Sequence, residues 1–171
     1  MPLAQRWLEE FEEQAPITRK FLERTPAGQL DWRPHPRSMT LGQLALHIAR
    51  VPAGVVRAAQ QDALQLPDFS NPPQPASHKE ILDVFDEGVG VVRSLLPGFD
   101  DARLEGALRL VQGERELTRW RRGEFLRNVM LNHWYQHRGQ LSVYLRLLNV
   151  PVPACWGPSA DESPNFPPPK V

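Results

Sequence analysis

One run of side chains limits this chain's fold more than any other. Leu126, Met130, His133, His137, Leu141, Tyr144 and Leu148 recur at spacings of three and four residues between Arg122 and Leu148. That period lines one face of an α-helix and does not fit the strict alternation of a half-buried strand. A helix with such a face has to bury it against neighbouring elements, and this one carries two imidazoles into the buried side.

Three earlier segments share the helical period. The first runs from about Leu3 to Arg24, with Trp7, Leu8, Phe11, Ile17, Phe21 and Leu22 as its apolar stripe and a kink or break expected at Pro16. The loop from Thr25 to Ser38 holds Pro26, Gly28, Pro34 and Pro36. Thr40 and Gln43 have capping-box spacing and open a second helix, with Leu41, Leu44, Ala45, Ile48, Val55 and Val56 facing the core. Pro52 cannot donate to the Ile48 carbonyl, which predicts a bend one turn after His47. Residues 65–76 read as a surface loop, and Ser77 with Glu80 forms a second capping box before a third helix through Ile81, Phe85, Val92 and Leu96. Between Pro97 and Trp120 the pattern does not decide between helix and strand. Gln112-Gly113-Glu114 resembles the turn of a short hairpin. The expected fold is all-α, a four-helix bundle over residues 1–150 with long loops, followed by a proline-rich tail over 151–171.

Composition narrows the function. The 171 residues carry 20 basic and 20 acidic side chains, so no net field attracts nucleic acid or an anionic membrane. The arginine-rich stretch from Arg115 to Arg127 is interleaved with Glu116 and Glu124 and reads as a solvated face. A single cysteine, Cys155, allows no intrachain disulfide and suits a reducing compartment; it is expected to be inert. No secretory pattern opens the chain and no apolar run reaches about 18 residues, so a cytoplasmic protein is expected. Phosphate-binding and dinucleotide-binding glycine motifs and paired zinc cysteines are missing.

His133 and His137 sit one turn apart on one helix face, close enough to share an ion. Zinc metalloproteases place a glutamate directly after the first histidine, and here that residue is Trp134, which excludes that enzyme class in its usual form. His47 borders the core face of the second helix. Three inward imidazoles without partners would each cost roughly 1–3 kcal/mol of desolvation, which a shared cation removes. Spacing alone leaves hydrogen-bonded core histidines and metal ligands both open.

Two longer stretches carry a resemblance. Leu30-Asp-Trp-Arg-Pro-His-Pro-Arg-Ser-Met-Thr-Leu-Gly-Gln-Leu-Ala-Leu-His47 is similar to the entry to the second helix in the DinB/YfiT-like superfamily. Asn132-His-Trp-Tyr-Gln-His-Arg-Gly-Gln-Leu-Ser-Val-Tyr-Leu-Arg146 is similar to its fourth helix. The resemblance implies a four-helix bundle, commonly a homodimer, in which His47, His133 and His137 bind one divalent metal ion, Ni or Zn. Its characterised members include bacillithiol S-transferases and, more distantly, mycothiol-dependent isomerases. The leading expectation is therefore a transferase of a low-molecular-weight thiol acting on a small-molecule electrophile. The alternatives are a hydrolase using hydroxide and a stress-related protein that binds metal or ligand without turnover. A cation with an open coordination position favours the anion of either an incoming thiol or water.

The catalytic residues stay unassigned at this level. Gln140, one turn beyond His137, is a candidate to orient a ligand, to hold a histidine or to bridge helices, and Tyr144 is a candidate for core or cavity. Trp134 reads as packing or dimer surface, Trp32 as a loop anchor and Arg138 as one half of an ion pair. His35 and His78 are expected in solvent.

Overall fold

The computed structural model describes residues 1–163. Its longest elements are the helices α1 (Leu3–Glu23), α2 (Leu41–Ala58), α3 (His78–Leu95) and α6 (His133–Leu147). The shorter ones are strand β1 (Ala63–Gln65), helix α4 (Asp101–Glu105), strands β2 (Ala107–Gln112) and β3 (Arg115–Arg121), and the turn-length helix α5 (Arg122–Phe125). A π-helical segment, Leu126–Asn132, joins α5 to α6.

Each long helix contributes one buried stripe to a common core. Trp7, Phe11, Phe21 and Leu22 come from α1, Leu44, Ile48 and Val56 from α2, Ile81, Phe85 and Val92 from α3, and Trp134, Leu141 and Leu145 from α6. Pro16 does not end α1. It lies on the exposed side of the helix, where the Glu12 carbonyl that lacks its donor is not enclosed by the core.

Thr40 starts α2 as a reciprocal cap. Its Oγ1 accepts from the Gln43 N–H at 3.0 Å, and the Gln43 Oε1 accepts from the Thr40 N–H at 2.9 Å. The next free donors, on Leu41 and Gly42, reach the Trp32 and Leu30 carbonyls at 2.7 and 2.8 Å. A Cβ on Gly42 would stand 2.9 Å from Gln74 and 3.1 Å from Leu30, so only glycine lets both loops close over this helix end. At α3 the expected box is displaced. Ser77 Oγ accepts from the Glu80 N–H, but Glu80 accepts from Ala76 rather than from Ser77.

The all-α expectation needs correction, because a three-stranded sheet of order β1-β2-β3 packs beside the helices. β2 and β3 form the hairpin that Gln112-Gly113-Glu114 suggests, with Gly113 at φ +60° and Leu108 opposite Trp120. β1 joins β2 in parallel, a pairing that three residues of sequence do not announce. Arg122 ties the sheet to its surroundings. Its guanidinium meets Asp62 at 2.8 Å and donates to the carbonyls of Gln61 and Arg103 at 3.0 and 3.2 Å. Arg122 is 4% exposed, against the expectation of a solvated arginine face.

The last helix is also not one continuous α-helix. The π turn widens the spiral just before His133, whose N–H donates to the Asn128 carbonyl five residues back. Residues 151–163 pack as irregular chain: Arg24 holds the Pro151 carbonyl at 2.9 Å and pairs with Glu162, Arg146 pairs with Asp161, and Val152 is buried. The remainder of the proline-rich tail, 164–171, lies outside the described residues. His78 is not solvated either, since its Nε2–H donates to the Leu22 carbonyl at 2.8 Å and closes the end of α1. No helix among the described residues is long and apolar enough to cross a membrane.

Pro52 does not break α2, but it has no N–H for the Ile48 carbonyl. The Trp134 indole N–H takes that place, donating to Ile48 at 3.0 Å from a fully buried position where its ring stacks on Phe11. Trp134→Phe keeps an aromatic ring but leaves a buried carbonyl without a donor. The urea midpoint should fall by the equivalent of about 1–3 kcal/mol. An unchanged midpoint would show that the bond does not hold α6 on α2.

Candidate metal centre

His47 lies on α2 between the buried residues Leu46 and Ile48, and His133 and His137 occupy the first two turns of α6. The Trp134–Ile48 hydrogen bond joins the residue after His133 to the residue after His47, so it sets the approach of the two imidazole-bearing turns. The result is a convergence. His133 Nε2 lies 3.0 Å from His47 Nε2 and 3.1 Å from His137 Nε2. The three rings stand nearly perpendicular to one another, at 81°, 86° and 88°.

Hydrogen bonding alone accounts poorly for this geometry. A ring nitrogen carries either one proton or one lone pair, so His133 Nε2 cannot make a well-directed bond to both neighbours. Two imidazole nitrogens on one ion at about 2.0–2.1 Å would lie about 2.8–3.4 Å apart for angles between ninety degrees and tetrahedral. The His47–His133 and His133–His137 separations fit. Among the described residues this trio is the one grouping of three histidine, cysteine or carboxylate side chains that could hold a metal ion, with donor atoms all within 4.8 Å of one another.

The protonation states fit as well. Burial, then the neighbouring His137 and His133, push His47 down to about 4. Burial likewise holds His133 below its ordinary value, with His137 adding to it. His137 is lowered by burial, against which its hydrogen bond to Gln140 acts. All three are neutral at pH 7, the form in which imidazole ligates. Gln140 Oε1 accepts from the His137 Nδ1–H at 2.7 Å, which leaves the Nε2 lone pair turned toward the other two rings.

The other candidates are placed elsewhere. Tyr144 donates to the Met39 carbonyl at 3.2 Å and meets Trp32 edge to face at 5.6 Å, so Trp32 and Tyr144 together fix the loop before α2. Trp134 is core. Arg138 is buried, and in place of the expected ion pair it donates to Thr18 Oγ1 at 3.0 Å and Gln14 Oε1 at 2.8 Å. Burial lowers its pKa. Half-buried Cys155 lines a recess with Arg138 and the tail, to which none of the three histidines contributes. His35 is exposed, its Nδ1 accepting from the Arg37 N–H at 3.2 Å.

The sequence reading missed what surrounds the trio. A cavity of about 520 Å³ opens beside His47 and His133, walled by Val51 and Val55 of α2, Leu64 of β1, Leu110 of β2, Trp120 of β3 and Phe125. The available signal was the apolar run Leu108-Arg-Leu-Val111 with Trp120 and Phe125 beyond it, but residues 97–121 gave no decided element to place them on.

A mostly helical protein with an inward histidine trio at the side of an apolar cavity is the class that fold and site define. Within that class the chain belongs to the DinB superfamily, whose family model matches residues 10–141 and so takes in all three histidines. Comparison with the curated proteins gives no match. Among solved structures, a DinB-like protein from Bacillus cereus is 23% identical with a TM-score of 0.64, over 86% of this chain and 94% of that one. A DinB-like protein from Bacillus subtilis is 16% identical with a TM-score of 0.65, over the same shares of the two chains. At these identities the likeness speaks for the fold alone.

The depressed histidines set a pH dependence. Above pH about 6.5 they are neutral in both folded and unfolded chains and do not affect stability. As pH falls from there toward 4, the unfolded chain binds protons that the folded chain refuses, so metal-stripped protein should lose stability across that window. Urea unfolding in the presence of a chelator, at pH 7.5 and pH 5, should show a lower midpoint at pH 5. In a variant with His47, His133 and His137 all replaced by glutamine, the drop should shrink. An equal drop in that variant would contradict neutral burial of the trio.

Proposed function

We propose that this chain is a metal-dependent transferase that joins a low-molecular-weight thiol of the bacillithiol type to small electrophiles. His47, His133 and His137 are its metal ligands, and the ion is Ni or Zn. Residues 1–150 form a four-helix bundle domain that works as a homodimer, with the proline-rich tail appended from 151. The observation that carries the reading is the convergence of three neutral imidazole nitrogens, with no carboxylate among them, beside an open apolar cavity.

A divalent ion held by three neutral ligands keeps its full charge and supplies acidification of an incoming thiol near neutral pH. The chain's own residues do the rest. His137 is kept with its proton on Nδ1 by Gln140, and burial keeps all three rings unprotonated. Val51, Val55, Leu110 and the rings of Trp120 and Phe125 exclude water from the side of the cavity next to His47 and His133. A thiolate is a strong nucleophile toward electrophilic carbon without help from a general base. Hydrolysis is the weaker reading, because among the described residues no carboxylate lines the cavity to take a proton from water.

Metal-loaded protein incubated with bacillithiol and a chloro-dinitroarene should form the thioether conjugate, and His133→Ala should reduce the rate to the uncatalysed background. Ester cleavage without thiol consumption would replace this reading with a hydrolase. Silence in both assays would leave a binding protein without turnover.

A further inference from the structure

We infer that the cavity beside the histidine trio is built for a flat, uncharged, apolar molecule, an arene in chemical class, with Trp120, Phe125 and Phe69 setting that selectivity. The inference rests on the transferase reading only for what happens to the molecule once bound.

Charge is the first argument. Among the described residues the cavity wall has no charged side chain, and its polar side chains are Gln65, His47, His133 and the indole of Trp120. In the metal-stripped chain a ligand carrying a carboxylate, phosphate or ammonium would lose hydration there without a counter-charge from these side chains, and the cost of stripping an isolated ion far exceeds that of an apolar ring.

Shape is the second. Trp120 and Phe125 stack with centroids 5.8 Å apart and planes inclined by 26°, giving the cavity one flat aromatic wall. Its volume of about 520 Å³ falls within the usual range for a small-molecule site.

The third argument is apolar surface that the chain's own core does not use. Phe69 is 74% exposed and Leu66 40% exposed, and both line this cavity from the loop after β1. That loop is anchored at its start, where the Leu66 N–H donates to the Val111 carbonyl at 2.8 Å. Among the described residues the two side chains therefore stand at the mouth outside the hydrophobic core, and a ligand seated below them gives their apolar character a use.

Titration of metal-stripped protein with naphthalene and with naphthalene-1-sulfonate tests this without any reaction. Naphthalene should bind once per chain, and the sulfonate should bind at least about a hundredfold more weakly. Trp120→Ala and Phe69→Ala should each weaken naphthalene binding, the first by about tenfold, with far-ultraviolet circular dichroism as the check on folding. Phe69 is mostly in solvent, so its variant decides the matter if Trp120→Ala fails to fold. Sulfonate binding as tight as naphthalene, or a Phe69→Ala variant with unaltered affinity, overturns the inference. Absent naphthalene binding with self-association that Phe69→Ala abolishes would assign the surface to a second copy of the chain instead. Naphthalene binding without thiol transfer would sink the transferase reading and leave the cavity's chemistry standing, whereas transfer to charged electrophiles without naphthalene binding would do the reverse.

Discussion

The site depends on one hydrogen bond that a proline makes necessary. Pro52 withholds a donor from the Ile48 carbonyl in the middle of a buried helix, and an unpaired buried carbonyl is costly. The Trp134 indole supplies the donor across the interface between α2 and α6. Because Trp134 and Ile48 each directly follow a histidine, the bond that repairs α2 also sets how close His133 comes to His47. Packing of Trp134 against Phe11 extends the constraint to α1. Three helices are thus held in register around the imidazoles by a side chain that touches no ligand.

Electrostatics and local geometry act together at that point. Burial disfavours the protonated form of each ring, and for His47 and His133 the neighbouring rings disfavour it further, so lone pairs are left pointing inward. The π turn before His133 gives α6 a different phase from the residues that precede it. Such turns recur at functional sites because they re-aim one side chain without ending the helix. Gln140 then selects the tautomer of His137 through its far nitrogen. Each device is small, and their directions agree.

Much of this was legible in the chain itself. The three-and-four spacing through His133 and His137, the Thr40–Gln43 cap and the position of His47 on a core face depend on local periodicity, which sequence carries directly. The unsatisfied Ile48 carbonyl followed from Pro52 alone, although its partner did not, since the pairing spans 86 residues. The parallel pairing of β1 with β2, the burial of Arg122 against Asp62 and neighbouring carbonyls, and the apolar cavity are all long-range results. A three-residue strand has no period to read, and an arginine among glutamates looks solvated until the chain folds back over it. The π turn was hidden for another reason: its residues fit an α pattern equally well, and only the hydrogen bond from His133 to Asn128 reveals the shift.

Calorimetric titration of the metal-stripped chain with nickel or zinc tests the shared-ion account most directly. One ion should bind per chain, and His47→Ala should abolish that tight site while the helical circular dichroism is retained. Unchanged affinity in His47→Ala, with the ion still held by the remaining residues, would show that the helices do not close on a common cation.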